Sequence, residues 1–197
     1  VSRMTVNKAI MSLVNEGLIY RQQGKGTFVS IAKVNREISL LKGFTEQMQD
    51  NGVTSKTRIL SYEILEATKQ CKLELKMPID ENKIIEIKRL RFGDQQPVAI
   101  ETAWLPYCLF DGMSREMIEG KSLFSIFREK YGYYPYEAKQ IIEPIMLNEY
   151  DSKLLNQENA ALALTFRRTT YLENGTPIEY TKAIYRSDKY KYQITLK

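Results

Sequence analysis

Two periodicities alternate along the chain, and their order outlines its elements. Val6, Ala9, Ile10, Leu13 and Val14 recur at helical spacing; with Ser2 as an N-cap and Gly17 as a stop, residues 1–16 read as a helix. Its other face carries Arg3, Thr5, Asn7, Lys8 and Ser12, polar and either short or basic. The period then falls to two. Residues 18–22 and 27–29 flank Gln23-Gly24-Lys25-Gly26, the pattern of a two-stranded ribbon with a glycine-flanked, cationic tip. Residues 31–37 read as a linker. Leu40, Leu41, Phe44 and Met48 mark a short helix ending at Asn51-Gly52, and residues 58–67 alternate as a strand with Ile59, Tyr62 and Ile64 as its apolar members. Thr68 caps a short helix that reaches Leu75.

Residues 84–105 form the stretch around which the rest is arranged. Ile84, Ile85 and Ile87 lead into Arg89 and Arg91, Gly93-Asp94-Gln95-Gln96 supplies turn chemistry, and Pro97 opens an extended run ending at Trp104. Side chains alternate across a strand, so Arg89 and Arg91 share one face. A loop with an odd number of residues centred on Gln95 would set Glu101 opposite Arg89 on that face. Downstream, residues 109–119 read as loop and short helix, and Ser122 caps a helix carrying Leu123, Phe124, Ile126 and Phe127. Residues 136–147 form a strand, 149–155 a short helix, 162–172 and 176–186 two strands about the Asn174-Gly175 turn, and 190–196 a last strand.

Two guanidinium forks beside a carboxylate suit a ligand that carries both an anion and hydroxyls, because guanidinium meets phosphate oxygens in pairs and carboxylate accepts from sugar hydroxyls. A solvated ladder of cross-strand ion pairs explains the same spacing. Residues 166–186 repeat the plan of the first hairpin: arginines, a polar turn, Pro177, then Glu179. Duplication of one antiparallel unit around a cleft and chance similarity both fit that echo. Gly43-Phe44-Thr45 opens the helix after the linker, where free N–H groups favour an anion, though an ordinary capped helix has the same sequence.

Composition narrows the function classes. With 197 residues, 43% hydrophobic and 27% charged, the chain is ordinary globular material. Its formal charge is +5, and three of those charges come from residues 1–30, where Arg3, Lys8, Arg21 and Lys25 face Glu16 alone. A polyanionic partner would be met there. Cys71 and Cys108 are far apart and in no metal pattern, which favours a reducing, cytoplasmic compartment, and there is no apolar run of membrane-spanning length. Histidine is absent, which removes the commonest general base and zinc ligand. No catalytic residue, cofactor or metal site is expected.

A helix with polar residues early in it, followed by a basic-tipped ribbon, suits the DNA major groove and backbone. The first 29 residues resemble the second half of the winged helix-turn-helix of the GntR family of bacterial transcription regulators, through Val1-Ser2-Arg3, Thr5-Val6, Gly17-Leu18-Ile19 and the wing from Arg21 through Gly24, Gly26 and Thr27-Phe28-Val29. That resemblance implies DNA-binding roles for Ser2, Arg3, Thr5, Asn7 and Lys8 on the recognition helix and for Arg21, Gln22, Gly24, Lys25 and Gly26 at the wing. Position 7 is often arginine in the family; Asn7 would shift base preference from guanine toward adenine. The family pattern also has two helices ahead of Val1, so the chain is expected to begin inside the reading head and to bind operator DNA weakly as it stands.

Residues 36–197 are similar to the effector-binding (UTRA) domain of the HutC subfamily, an α+β fold related to chorismate lyase. The matching features are Gly43-Phe44-Thr45, Arg89 and Arg91, Pro97 with Glu101, Ser122-Leu123-Phe124, and Glu179 with Tyr185-Arg186. In phosphosugar-sensing members, including repressors of N-acetylglucosamine use, the resemblance implies that Phe44, Thr45, Arg89, Arg91 and Ser122 hold phosphate while Glu101, Glu179 and Tyr185 face the sugar. Phe124 stands where tyrosine is common. The expected organisation is therefore a partial winged helix at 1–30, a linker at 31–37 and an effector domain at 38–197. The whole would work as a cytoplasmic homodimeric regulator, a repressor, responding to a small phosphorylated sugar or amino sugar. A sensor of an unphosphorylated carboxylate, or an enzyme on the chorismate-lyase scaffold, are the alternatives.

Overall fold

The computed structural model describes residues 2–16, 18–22, 24–29, 34–37 and 41–193, which divide into two compact units, Val1–Val34 and Asn35–Lys197. In the first, helix α1 (Arg3–Asn15) starts as its sequence predicts: Ser2 is the N-cap, and the Thr5 N–H donates to its Oγ at 3.1 Å. Gly17, the expected stop, lies outside the described residues. Strands β1 (Ile19–Gln22) and β2 (Gly26–Val29) pair antiparallel, with Tyr20 stacked on Phe28 at 5.5 Å. Of the apolar stripe on α1, Ile10 and Val14 are half-buried, whereas Val6 and Leu13 remain exposed.

The expected linker contains a strand. β3 (Val34–Glu37) pairs with β10 (Tyr190–Gln193), so part of this segment is tied to the second unit's end; residues 31–33 and 194–196 are outside the described set. Val34-Asn35-Arg36-Glu37 has no alternation to announce a strand, so periodicity does not reveal it. The next helix, α2 (Phe44–Asp50), is shorter than its apolar spacing suggests. Gly43 is its N-cap and Glu46 accepts from the Gly43 N–H at 3.1 Å; Leu41 precedes it, and Leu40 is not described.

Six antiparallel strands form the main sheet: β4 (Ser55–Glu66), β5 (Lys83–Gly93), β6 (Gln96–Pro106), β7 (Glu137–Met146), β8 (Leu162–Tyr171) and β9 (Pro177–Arg186), in the spatial order β4-β5-β6-β9-β8-β7. That order has internal symmetry. β4, α3 (Lys69–Glu74), β5 and β6 make one half; β7, α6 (Glu149–Leu154), β8 and β9 make the other; the halves join through β6 and β9. Local chemistry repeats too. Thr68 caps α3 through the Cys71 N–H at 3.2 Å, Asn148 caps α6 through the Asp151 N–H at 2.8 Å, and the chain leaves both helices through left-handed residues, Lys76 at φ 45° and Asn156 at φ 51°. This shared layout favours duplication over chance as the source of the hairpin echo.

The register of the first hairpin arises differently from the expected odd loop. Asp94 (φ 46°) and Gln95 (φ 66°) form a two-residue turn of the kind that matches strand twist. An even turn alone would place Lys88, not Arg89, opposite Glu101. The correction comes from a bulge: Phe92 pairs with Pro97 but Arg91 pairs with Ala99, so Val98 is a spare residue and Arg89 faces Glu101. The second hairpin has the same device, with Thr170 opposite Glu179, Tyr171 opposite Pro177, and Ile178 spare.

One face of β5 runs Ile85, Ile87, Arg89, Arg91, changing from apolar to cationic along its length. The apolar part joins Ala103, Leu105, Phe110 and Ile178 beneath Ile118 of α4 (Arg115–Ile118) and Phe124 and Phe127 of α5 (Leu123–Tyr131). The opposite sheet face packs on α3 through Cys71, Leu75 and Ile84, and on the α6 region through Leu90, Ile100 and Leu155. The register shift between Ile59 and Ser61 puts Ile59, Tyr62 and Ile64, the apolar members expected of β4, on one face; Ile59 and Tyr62 join the core, while Ile64, opposite Ile85 toward the end of this edge strand, is exposed.

Candidate functional site

Where β5 turns cationic, the sheet opens into a small cleft lined by Gly43, Phe44, Thr45, Arg89, Arg91, Glu101, Ser122, Leu123, Phe124, Arg168 and Glu179. Its floor spans both halves of the sheet: Arg89 and Arg91 from β5, Glu101 from β6, Glu179 from β9 and Arg168 from β8. Its rim is made by the starts of α2 and α5, which lie close together; a methyl group added to Gly43 would sit 3.5 Å from Ser122 Oγ and 3.6 Å from the Phe124 ring. First-turn N–H groups of a helix have no partner within the helix, so both starts present donors here. Ser122 occupies the N-cap of α5, but its hydroxyl oxygen accepts no capping hydrogen bond from the N–H groups of the first turn.

Both arginines of β5 are almost fully buried, which decides between the solvated ladder and the inward-facing pair in favour of the latter. Glu101 holds them. Its Oε1 accepts from Arg91 Nη2 at 2.8 Å and from Arg89 Nη2, while Arg91 Nη1 donates to Thr57 Oγ1 at 2.8 Å. Each side of the cleft also has a guanidinium lying over a phenyl ring: Arg91 over Phe44 at 4.9 Å and Arg168 over Phe124 at 5.4 Å. Arg168 Nη2 lies 3.6 Å from Glu179, whose Oε2 accepts from Thr170 Oγ1 at 2.9 Å.

Charge in the cleft is unbalanced. Arg89, Arg91 and Arg168 face Glu101 and Glu179, and the Nε–H groups of all three arginines are buried without a partner. Burial works to raise the Glu101 carboxyl, but the three guanidiniums outweigh it and hold it at about 2. Burial and the like charge of Arg91 lower Arg89 to about 10, against the pull of both glutamates. Glu179 moves the opposite way: burial raises it, and Glu101 adds to the rise, against the lowering effect of Arg168. Surplus positive charge with unmet N–H donors in a low-dielectric pocket is the chemistry of anion capture. Among the described residues no cluster of side chains could hold a metal ion.

Of the effector residues expected from the sequence, Phe44, Thr45, Arg89, Arg91, Glu101, Ser122, Phe124 and Glu179 line the cleft together. Tyr185 does not line it. It lies buried on β9 and packs edge-on to Phe166 at 5.3 Å and Tyr190 at 5.7 Å. Arg186, beside it, braces the structure by donating to the carbonyls of Pro97 at 3.2 Å and Leu155 at 3.1 Å. Sequence reasoning passes over Arg168, although the echo of the two hairpins is its signal.

In the N-terminal unit, Arg3, Thr5, Asn7, Lys8 and Lys25 are exposed, as a surface that meets DNA requires. Asn7 is not loose: its Oδ1 accepts from Arg21 Nη2 at 3.2 Å, which ties helix to ribbon. Ser2 and Thr5 hydroxyls lie 2.9 Å apart, Gln22 is half-buried and its carbonyl accepts from the Lys25 N–H at 3.0 Å, and Gly24 (φ 75°) and Gly26 (φ 121°) supply the left-handed backbone of the tip. Gln23 is outside the described residues.

A helix and ribbon of this kind, with a sheet domain built around an anion-receptive cleft, define a ligand-responsive DNA-binding regulator. Residues 50–191 match the UTRA domain and residues 1–29 the bacterial regulatory proteins of the gntR family, so the chain belongs to the UTRA-containing GntR regulators. It is 35% identical over 193 residues to the HTH-type transcriptional repressor NagR of Bacillus subtilis, covering 98% of this chain and 78% of that protein. Similarity to the mannosyl-D-glycerate transport/metabolism system repressor MngR of Escherichia coli is 29% over 194 residues, 98% of this chain and 80% of that one. In fold it superposes on PhnF from Mycobacterium smegmatis with a TM-score of 0.79 at 21% identity, across 100% of this chain and 86% of PhnF. The protein is a transcription regulator and not an enzyme.

Proposed function

We propose that this regulator is a cytoplasmic repressor that senses a small phosphorylated sugar or amino sugar in the cleft and reads operator DNA through α1 and the β1–β2 ribbon. In this reading residues 1–30 are the C-terminal part of a winged helix-turn-helix, and the domain after the linker receives the effector. The observation that carries it is the surplus of buried guanidinium with unmatched Nε–H donors beside the Ser122 hydroxyl and two helix starts. Arg89, Arg91, Ser122, Phe44 and Thr45 take the phosphate; Glu101 and Glu179 face the hydroxyls. Relatives described as acting on mannosyl-D-glycerate and fructoselysine systems support a sugar-derived ligand.

Effector binding acts across a homodimer, changing the spacing of two reading heads whose half-sites lie about one helical turn, roughly 34 Å, apart. A coupling of about 1–3 kcal/mol changes operator affinity roughly 5–150-fold. Calorimetry with hexose and amino-sugar phosphates tests the pocket. Arg89→Ala combined with Arg91→Ala should abolish binding. Ser122→Ala, which leaves the ion-pair network intact, should weaken it about tenfold. Unchanged affinity in both variants would rule this cleft out, and a stronger response to organic acids than to sugar phosphates would replace the ligand class.

A further inference from the structure

Three strand steps separate β5 from β8, so the backbone at Arg168 stands roughly 14 Å from the strand of Arg89 and Arg91. On the cleft face the strands between them carry small residues: Ala103 beside Thr181, which pairs with Arg168, and Ala183 beside Glu101. Long side chains from the outer strands meet over that low centre, and all three guanidiniums line one cleft.

The three are not equally engaged. Glu101 Oε1 accepts from Arg91 Nη2 at 2.8 Å and from Arg89 Nη2, and Thr57 Oγ1 accepts from Arg91 Nη1. Arg168 has only long polar contacts from its side chain among the described residues: Nη1 lies 3.5 Å from the Lys42 carbonyl, Nη2 lies 3.6 Å from Glu179 Oε2, and the Nε–H is buried without a partner. Both acceptors are already served at shorter range, the carbonyl by Gln47 Nε2 at 3.2 Å and the carboxyl by Thr170 Oγ1 at 2.9 Å. Phe124, whose ring lies 5.4 Å below the guanidinium, holds the side chain by its face and uses none of its N–H groups. A mostly buried cation with spare donors is set for an acceptor that comes from outside.

We infer that Arg168 is a direct contact to the effector's anionic group, completing a three-guanidinium cradle that selects a doubly charged head, a phosphomonoester, over a singly charged one such as a carboxylate or a sulfate ester. This deepens the phosphorylated-effector reading above and rests on it. Charge supports the choice. Glu101 cancels one of the three cations, and burial drives Glu179 toward its neutral form, so the cleft's own side chains leave close to two positive charges. A dianion balances both. A monoanion leaves one guanidinium buried with no counter-charge, which is costly at low dielectric.

Methyl phosphate and methyl sulfate share a tetrahedral head and differ by one charge at about pH 8, and neither carries a sugar. Titrated against the whole chain by NMR, with glucose 6-phosphate and glucose 6-sulfate as larger counterparts, the wild type should prefer each phosphate to its sulfate by about tenfold or more. Arg168→Met keeps an apolar stem over Phe124 and should lower phosphate affinity by about tenfold while erasing most of that preference. Arg168→Gln should behave alike, and Arg168→Lys, which returns the charge without the fork, should recover part of the preference. A folded neutral variant that keeps the wild-type preference, or that loses both esters equally, overturns the assignment, as does loss of fold in both neutral variants by circular dichroism. A wild type that binds neither phosphate overturns the cleft reading and this inference together, whereas one that binds methyl phosphate with the expected Arg168 dependence but not glucose 6-phosphate removes the hexose and leaves Arg168 in place.

Discussion

The half of the sheet from β4 to β6 and the half from β7 to β9 share one plan, yet they bring opposite electrostatic characters to a common cleft. Arg89 and Arg168 occupy corresponding strands, but Arg91 has Thr170 as its counterpart, and Glu101 bridges two guanidiniums where Glu179 has one distant guanidinium and a hydroxyl. The first half is a tightly paired cationic cluster whose carboxylate is held charged; the second holds a carboxyl that burial drives toward its neutral form. A duplicated scaffold thus carries two buried carboxyls shifted in opposite directions.

The largest expected effect comes from removing the carboxylate of each half in turn. Glu101→Gln leaves Arg89 and Arg91 buried together with no counter-charge and should cost about 3 kcal/mol or more in urea unfolding. Glu179→Gln keeps an acceptor for Thr170 and should cost about 1 kcal/mol. Equal losses would erase the asymmetry.

Acid titration sharpens the same contrast. The Glu101 carboxyl is lowered from 4.5 to about 2 on folding, so its contribution is complete above the unfolded value and disappears as pH falls through about 2. Wild-type stability should drop by about 2–3 kcal/mol between pH 5 and 2, and Glu101→Gln should flatten that drop. Glu179 is raised and contributes with opposite sign, so Glu179→Gln should leave the acid loss in place.

Smaller effects separate the turns and then the caps. Gln95→Gly relieves a left-handed residue in the first hairpin and should stabilise by about 0.5–1 kcal/mol, while Gly175→Ala, at φ 80°, should destabilise the second by about 1 kcal/mol. Thr68→Ala and Asn148→Ala remove equivalent helix caps and should each cost about 1 kcal/mol in thermal unfolding. A marked difference between them would show that the halves diverge in packing as well as in charge.

Helix starts and hairpin turns are legible in the sequence because each is encoded by adjacent residues. Ser2, Thr68 and the Asn174-Gly175 pair act where they stand in the chain. The pairing of Arg89 with Glu101 is also legible, but for the wrong local reason, since nothing in Pro97-Val98-Ala99 announces a spare residue; a bulge is settled by the packing of the whole strand. β3 escapes notice because its four residues carry no periodicity and gain their strand character from β10, more than 150 residues away. Arg168 escapes it because its position becomes chemical only when β8 is laid beside β9, so that a side chain far from Arg89 in the chain lines the same cleft. Tyr185 shares the site face of β9 with Glu179, but its ring is engaged by Phe166 and Tyr190.

Val98 has a consequence for how this domain can change. Excising it would straighten the strand and still leave Arg91 beside Ala99 and Arg89 beside Glu101, because the supernumerary position contributes curvature and not partnership. Adding one residue between Pro97 and Glu101, with the turn unchanged, would instead rotate the carboxylate through the sheet toward α3 and α6 and strand the guanidiniums. Length variation at this point is therefore tolerated in one direction only.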